Sequence, residues 1–288
     1  MLFNLSNTTW NKTTSDLLYM KYTPNVLTIA GSDSSGGAGI QADIKTFTAL
    51  NVYGASVITN VTAQNSKGVK ATYPLPAKVV KDQLQTVISD INFKAIKIGM
   101  LYSSEIINEV VECLSNNTST PIVIDPVLTS SSGVMLLEEA ARTALVENLF
   151  PLATLITPNL MEANYLLQFK GKDTENLCTQ NKALLLSELF ACSVLLKGGH
   201  VNGEIVTDYL QTNKAMNSFS HKRIATNNTH GTGCTLSSAI AANLAKQPDL
   251  FIAVKEGISF TESCIQNADG LQVGNGYGPI NQLPFSQY

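Results

Sequence analysis

A thiol stands at the mouth of a candidate helix. In "NTHGTGC", residues 228–234, Gly231 and Gly233 bracket Thr232, and Cys234 leads into "TLSSAIAANLA". Glycines at such a turn permit tight or left-handed backbone. The first turn of a helix has unpaired N–H groups and the positive end of the helix dipole. An anion is stabilised there, a phosphate above all. The same setting lowers a thiol's pKa and favours thiolate. Taken alone, the segment fits a glycine-opened helix with a small buried cysteine equally well.

Three further groups carry charge at places where chemistry could use it. "IDPV" sets Asp125 at the end of an apolar run, and "TPNLMEAN" sets Glu162 near the start of a helix. Each could orient a hydrated Mg²⁺, which takes one or two carboxylates plus phosphate oxygens. Each also has a plain structural use, as a turn aspartate before proline and as a helix N-terminal acid. Lys197 of "LLKGGH" follows another apolar run and could meet a phosphate as a point charge. His200 and His230 flank glycine turns without metal-ligand spacing and read as hydrogen-bonding or structural residues. "GSDSSGGAG", residues 31–39, has glycines at the outer spacing of a phosphate loop, but Gly37 stands where that loop needs lysine. No G-x-S-x-G, H-E-x-x-H or paired-cysteine motif occurs. Glycine anion turns, one or two carboxylates, a lysine and a candidate base are the parts that phosphoryl transfer needs.

What must position these groups is an alternation of strand and helix. "VLTIAG", "ASVITNVTAQN", "KAIKIGM", "PIVIDPV", "TLITPN" and "CSVLLKGG" read as buried strands. "GIQADIKTFTALN", "AKVVKDQLQTVISDI" and "SSEIINEVVECL" read as helices by their apolar spacing. That order predicts an α/β fold with a mostly parallel sheet covered by helices on both faces. Ligands of such sheets bind beyond the carboxyl ends of the strands. Every group named above falls just after a strand. No linker or repeat interrupts the chain after Pro24, so residues 25–288 read as one domain behind a polar tail, residues 1–24.

The 288 residues carry a net charge of −3, which argues against a nucleic-acid or membrane surface as the main partner. The five cysteines are scattered and match neither a disulfide framework nor a zinc site. No membrane span or signal peptide is legible, and the cytoplasm is the expected location.

Seven stretches, in order, resemble the hydroxymethylpyrimidine/phosphomethylpyrimidine kinases of thiamine biosynthesis, in the ribokinase-like superfamily. They are "LTIAGSDSSGGAGIQADIKT", "VTAQNSKGV", "IKIGML", "VIDPV", "ITPNLMEA", "LLKGGH" and "NTHGTGCTLSSAIAANLA". The resemblance implies a three-layer α/β/α sandwich, a homodimer, and two successive ATP- and Mg²⁺-dependent phosphorylations of a small aminopyrimidine. It implies that Gln64 hydrogen-bonds the aminopyrimidine edge, with Asp43, Met100, Val127 and the backbone of Gly31 in the same pocket. Asp125 and Glu162 would organise Mg²⁺ and phosphates, and Lys197 would contact ATP. Gly231, Thr232 and Gly233 would form the anion hole. Cys234 stands where sugar kinases of the superfamily place an aspartate base, and could accept the alcohol proton or hold geometry. The chain also has Ser34 where that family often has proline, and Asn164 where it often has an acid. Pyridoxal kinases of the same subfamily are the alternative implied. A non-enzymatic binding protein on the same scaffold would be expected to lack the anion turn or the carboxylates.

Overall fold

The computed structural model describes residues 23–115, 119–128, 137–199 and 203–283. The tail read from residues 1–24 lies outside them up to residue 22, as does His200. The first half of the chain runs β1 (Asn25–Asp33), α1 (Gly39–Ala49), β2 (Tyr53–Asn65), β3 (Gly68–Pro74), α2 (Ala77–Asp90), β4 (Ala95–Ile98), α3 (Ser104–Leu114) and β5 (Ile122–Ile124). The second half runs α4 (Glu139–Ala144), β6 (Leu155–Ile156), α5 (Leu160–Phe169), α6 (Thr179–Phe190), β7 (Ser193–Leu196), β8 (Ile205–Gln211), β9 (Met216–Lys222), α7 (Thr232–Lys246) and α8 (Leu250–Gln266).

The strands form one nine-stranded sheet in the order β3-β2-β1-β4-β5-β6-β7-β8-β9. From β2 to β7 the neighbours are parallel, while β3, β8 and β9 join by antiparallel pairs. This is the expected three-layer α/β arrangement. The chain winds outward from β1 in both directions, with β2 on one side and β4 on the other. That reversal marks the crevice at the carboxyl ends of β1 and β4 as the place for a ligand.

Successive residues of β1 point to opposite faces. Leu27 and Ile29 pack with Ile98, Ile106, Val110 and Leu166 beneath the layer of α2 to α6. Val26 packs with Phe47, Val123, Ile240 and Val254 beneath α1, α7 and α8. Helix α7 is buried along Thr235–Leu244 because the sheet covers one side and α8 the other. Its small side chains, Ser237, Ser238, Ala239, Ala241 and Ala242, permit that double contact, and an all-round buried helix has no polar face to show. Strand β3 escapes the sequence reading. It forms an exposed ribbon at the sheet edge, and the alternation of Val69, Ala71 and Tyr73 with polar residues in "GVKATYP" is the signal that could have found it.

Candidate active site

The carboxyl ends of β1, β2, β4, β5 and β7 and the first turn of α7 meet at one edge of the sheet. Gly231 is the N-cap of α7 and adopts φ +87°. A Cβ there would overlap the carbonyl oxygen of Gly37 in the β1–α1 loop. The position is therefore closed to other residues twice over, by conformation and by space. The first helical bond is that of Thr235 N–H to Gly231 O, 2.9 Å. Thr232 donates its N–H and its hydroxyl back to Thr229 O, at 3.3 and 2.7 Å. The amides of Gly233 and Cys234 keep no acceptor among the described residues.

Asp125 and Lys197 lie directly beside this turn. Lys197 Nζ donates to Asp125 Oδ1 at 3.0 Å, and Thr157 Oγ1 donates to the same oxygen at 3.2 Å. A Cβ on Gly233 would stand 3.3 Å from Asp125 Oδ2 and 3.5 Å from Lys197 Nζ. Burial alone would lower the Lys197 pKa, but Asp125 and Glu162 beside it raise it, and the ammonium stays charged. Asp125 Oδ2 accepts no hydrogen bond among the described residues and faces the turn. Glu162 is buried, and burial raises its carboxyl pKa against the pull of Lys197. Its two oxygens accept the N–H groups of Leu128 and Asn159, at 3.2 and 2.8 Å. Asn159 returns a bond to the Glu162 N–H, 2.9 Å, which completes a capping box. The reading of Glu162 as a helix N-terminal acid is borne out: it caps α5.

Two expectations need correction. Asp43 has no exposure, so it does not line an open pocket. Its carboxylate accepts from Lys97 Nζ at 2.9 and 3.0 Å, from Thr28 Oγ1 at 2.6 Å and from Ser238 Oγ at 2.7 Å. This buried cluster braces α1, β1, β4 and α7 from beneath the site. Burial would lower the Lys97 pKa, but Asp43 raises it to about 12. The second correction concerns Cys234. Its place in the first turn suggests an acidic thiol, yet burial pushes the thiol up to about 11 and overrides Lys97 and the N–H of Gly39.

In the β1–α1 loop, Asp33 has captured the amides of Ser35, Gly37 and Ala38. The Asp33 carboxylate accepts from Ser35 N–H and hydroxyl, from Gly37 N–H and from Ala38 N–H, at 2.7–3.2 Å. Burial alone would raise its pKa, but these bonds and His230 hold it well below the usual carboxylate range. The backbone of Gly31 lies buried at the end of β1, against the side chain of Asn60. Met100, half-buried, follows β4, and its carbonyl accepts from Thr59 Oγ1 at 2.7 Å. Val127 follows β5 at φ +43°, a strained conformation for a β-branched residue and one that clusters at functional sites. Gln64 is half-buried at the end of β2. Ser34 donates to its carbonyl and accepts from its N–H, at 2.9 and 3.0 Å. Serine in place of proline thus pins the backbone of Gln64.

Asp33, Lys97 and Ser238 escape the sequence reading. The signal for Lys97 and Asp43 was present: each is a charge inside an otherwise apolar pattern, in "AIKI" and on the inner face of α1. Asp33 was hidden by the glycines around it. Two grooves of about 630 and 650 Å³ lie elsewhere, near Lys246 and near Tyr53, and hold none of these groups.

A family model described as phosphomethylpyrimidine kinase matches residues 33–281. The chain belongs to the phosphomethylpyrimidine kinase family. A hydroxymethylpyrimidine/phosphomethylpyrimidine kinase of Rhizobium meliloti is 45% identical over 258 residues, which cover 89% of this chain and 96% of that one. The crystal structure of a Clostridium difficile phosphomethylpyrimidine kinase superposes with a TM-score of 0.72 at 43% identity, covering 84% of this chain and 99% of that one. A Staphylococcus aureus pyridoxal kinase, solved with ADP, superposes with a TM-score of 0.81 at 32% identity, covering 91% and 94%. Both structures share the ribokinase-like fold, and the family model and the relatives at higher identity support the pyrimidine kinase reading over the pyridoxal kinase alternative. Among the described residues, no helix is long and apolar enough to cross a membrane.

Proposed function

We propose that this phosphomethylpyrimidine kinase family member transfers the γ-phosphoryl group of ATP to the hydroxymethyl group of 4-amino-5-hydroxymethyl-2-methylpyrimidine. A second ATP then phosphorylates the monophosphate to the pyrophosphate. One observation carries the reading. The free amides of Gly233 and Cys234, the Asp125–Lys197 pair and the Gln64 amide converge at the strand-order switch.

Phosphoryl transfer of this kind proceeds through a loose transition state, so catalysis is mainly positioning and neutralisation of charge. The amides of Gly233 and Cys234, at the positive end of α7, take the oxygens of the transferring group. Lys197 meets the phosphates of ATP. Asp125 Oδ2, with Glu162 nearby, would hold Mg²⁺ through water. That ion would supply further neutralisation of phosphate charge. In each step the substrate oxygen forms a bond to phosphorus as the bond to the ADP oxygen breaks. For the hydroxymethyl group, the alcohol proton leaves late, onto the transferred phosphoryl oxygens. Cys234 serves as a neutral thiol that fills and orients the site, which its raised pKa supports. Gln64 offers a donor and an acceptor to the aminopyrimidine edge, with Met100, Val127 and Gly31 around the ring.

The test is turnover by purified protein with MgATP and either hydroxymethylaminopyrimidine or pyridoxal, followed by chromatography of the products. Formation of the pyrimidine pyrophosphate supports the reading, and efficient turnover of pyridoxal alone refutes it. A homodimer is supported by the exposed Val61, Val69 and Tyr73 on the β2–β3 ribbon, and sedimentation checks it.

A further inference from the structure

His230 is held from several sides. Its N–H donates to Gly278 O at 3.1 Å, and its carbonyl accepts from Ile280 N–H at 3.2 Å, so the segment after α8 clamps its backbone. Its ring covers Gly37, where any Cβ would overlap it. Its Nε2 lies 2.8 Å from Asp33 Oδ2 and 3.2 Å from the Gln64 side-chain amide nitrogen.

These contacts constrain hydrogen positions. An imidazole nitrogen has either one hydrogen or one lone pair. An ionised Asp33 offers lone pairs only, so Nε2 must bear the hydrogen whether the ring is neutral or charged. A donor then faces the amide nitrogen of Gln64, which is also a donor. The other end of the amide has the opposite fault. Thr62 Oγ1 lies 3.1 Å from Ser32 O and 3.2 Å from the Gln64 amide oxygen. The hydroxyl has one hydrogen, and the Ser32 carbonyl can only accept, so the hydrogen belongs to Ser32. A lone pair is left facing the amide oxygen. Turning the amide by half a rotation relieves both ends together. The oxygen then accepts the longer share of the one His230 Nε2–H, which donates mainly to Asp33 Oδ2, and the NH₂ donates to Thr62 Oγ1.

We propose that His230, fixed by Asp33, is a positioning residue that locks the Gln64 amide with its oxygen toward the imidazole, and that this lock makes the site selective for an aminopyrimidine edge. The proposal rests on the reading of Gln64 as the group that binds the pyrimidine. After the two bonds to His230 and Thr62, the amide keeps one lone pair on oxygen and one hydrogen on nitrogen, side by side in fixed order. An amino group beside a ring nitrogen matches that pair in one in-plane orientation. A hydroxyl beside carbon, as in a pyridine vitamer, lacks the adjacent acceptor. An amide free to turn would accept either order and lose the discrimination.

Two substitutions separate the lock from packing. His230→Met keeps bulk over Gly37 and removes the donor, whereas His230→Gln restores an N–H near the place of Nε2. With His230→Met, KM for hydroxymethylaminopyrimidine should rise about three- to tenfold, the loss of a shared hydrogen bond at the weak end of the usual range. KM for ATP should change less than about twofold, and preference over pyridoxal should fall about three- to tenfold. His230→Gln should recover most of both. Unchanged preference in His230→Met overturns the lock, as does a parallel loss of ATP affinity in both variants. If the wild-type protein does not phosphorylate the pyrimidine, the functional reading fails separately. The lock is then read by NMR in the ligand-free protein. Contacts from the Gln64 amide protons to the Thr62 methyl uphold it, and contacts to His230 Hδ2 or Hε1 overturn it.

Discussion

The state of Cys234 can be decided by titration. Burial moves its pKa from an ordinary 9 to about 11. At pH 7 the thiolate fraction then falls by about a hundredfold relative to an ordinary thiol, two pKa units or roughly 2.7 kcal/mol. Iodoacetamide reacts with thiolate alone. Alkylation of the peptide containing Cys234, followed by mass spectrometry, should therefore accelerate with pH up to at least about 9.5 without a plateau. Lys97 is the cation that opposes the shift, and removing it should not uncover an acidic thiol. Catalysis gives a second reading. Cys234→Ser retains a small polar group but cannot ionise, so a lost general base would cost about 10²–10⁴ in kcat. We expect a loss below about tenfold, with ATP binding intact. A plateau in alkylation below pH 8, or a kcat loss beyond a hundredfold in Cys234→Ser, refutes the neutral-thiol reasoning.

Other outcomes follow from the same geometry. Lys97→Met strands the Asp43 carboxylate in the interior and should destabilise the protein by about 3–5 kcal/mol, while the double variant with Asp43→Leu should recover much of this; chemical denaturation measures both. Gly231→Ala meets left-handed backbone and the Gly37 carbonyl together and should cost at least about 2 kcal/mol, visible as a lowered melting temperature. Cys192 and Cys264 are pushed up to about 12 by burial, as Cys234 is to about 11. Folded values above the unfolded ones favour the protonated native state, so this stabilisation is complete below about pH 9 and drains away toward pH 12. Thermal melts across that range should show a steady alkaline decline, and a flat profile contradicts it.

The sequence by itself determined the layers and the edge at which the chemistry sits. Apolar runs of four to six residues alternating with helical periodicity leave few alternatives to a covered parallel sheet, and strand-end glycines and carboxylates must then gather at one edge. Local signals of that kind need only neighbours along the chain. Glu162 as a helix N-terminal acid and the Gly231 turn were legible for that reason. β3 was not, because its alternation of Val69, Ala71 and Tyr73 is short and exposed and lies between turns rather than in a buried run. Tertiary structure decided the rest. Asp43 sits on α1, Lys97 on β4 and Ser238 on α7, and only folding shows that they satisfy one another beneath the site. The cysteine at the opened helix carries a dipole argument for thiolate in its sequence, yet the surrounding burial, contributed by distant elements, reverses the sign. The Asp33–His230–Gln64 contacts span 197 and 166 residues. No spacing rule reaches that far, so the orientation of one amide became visible only where three loops meet.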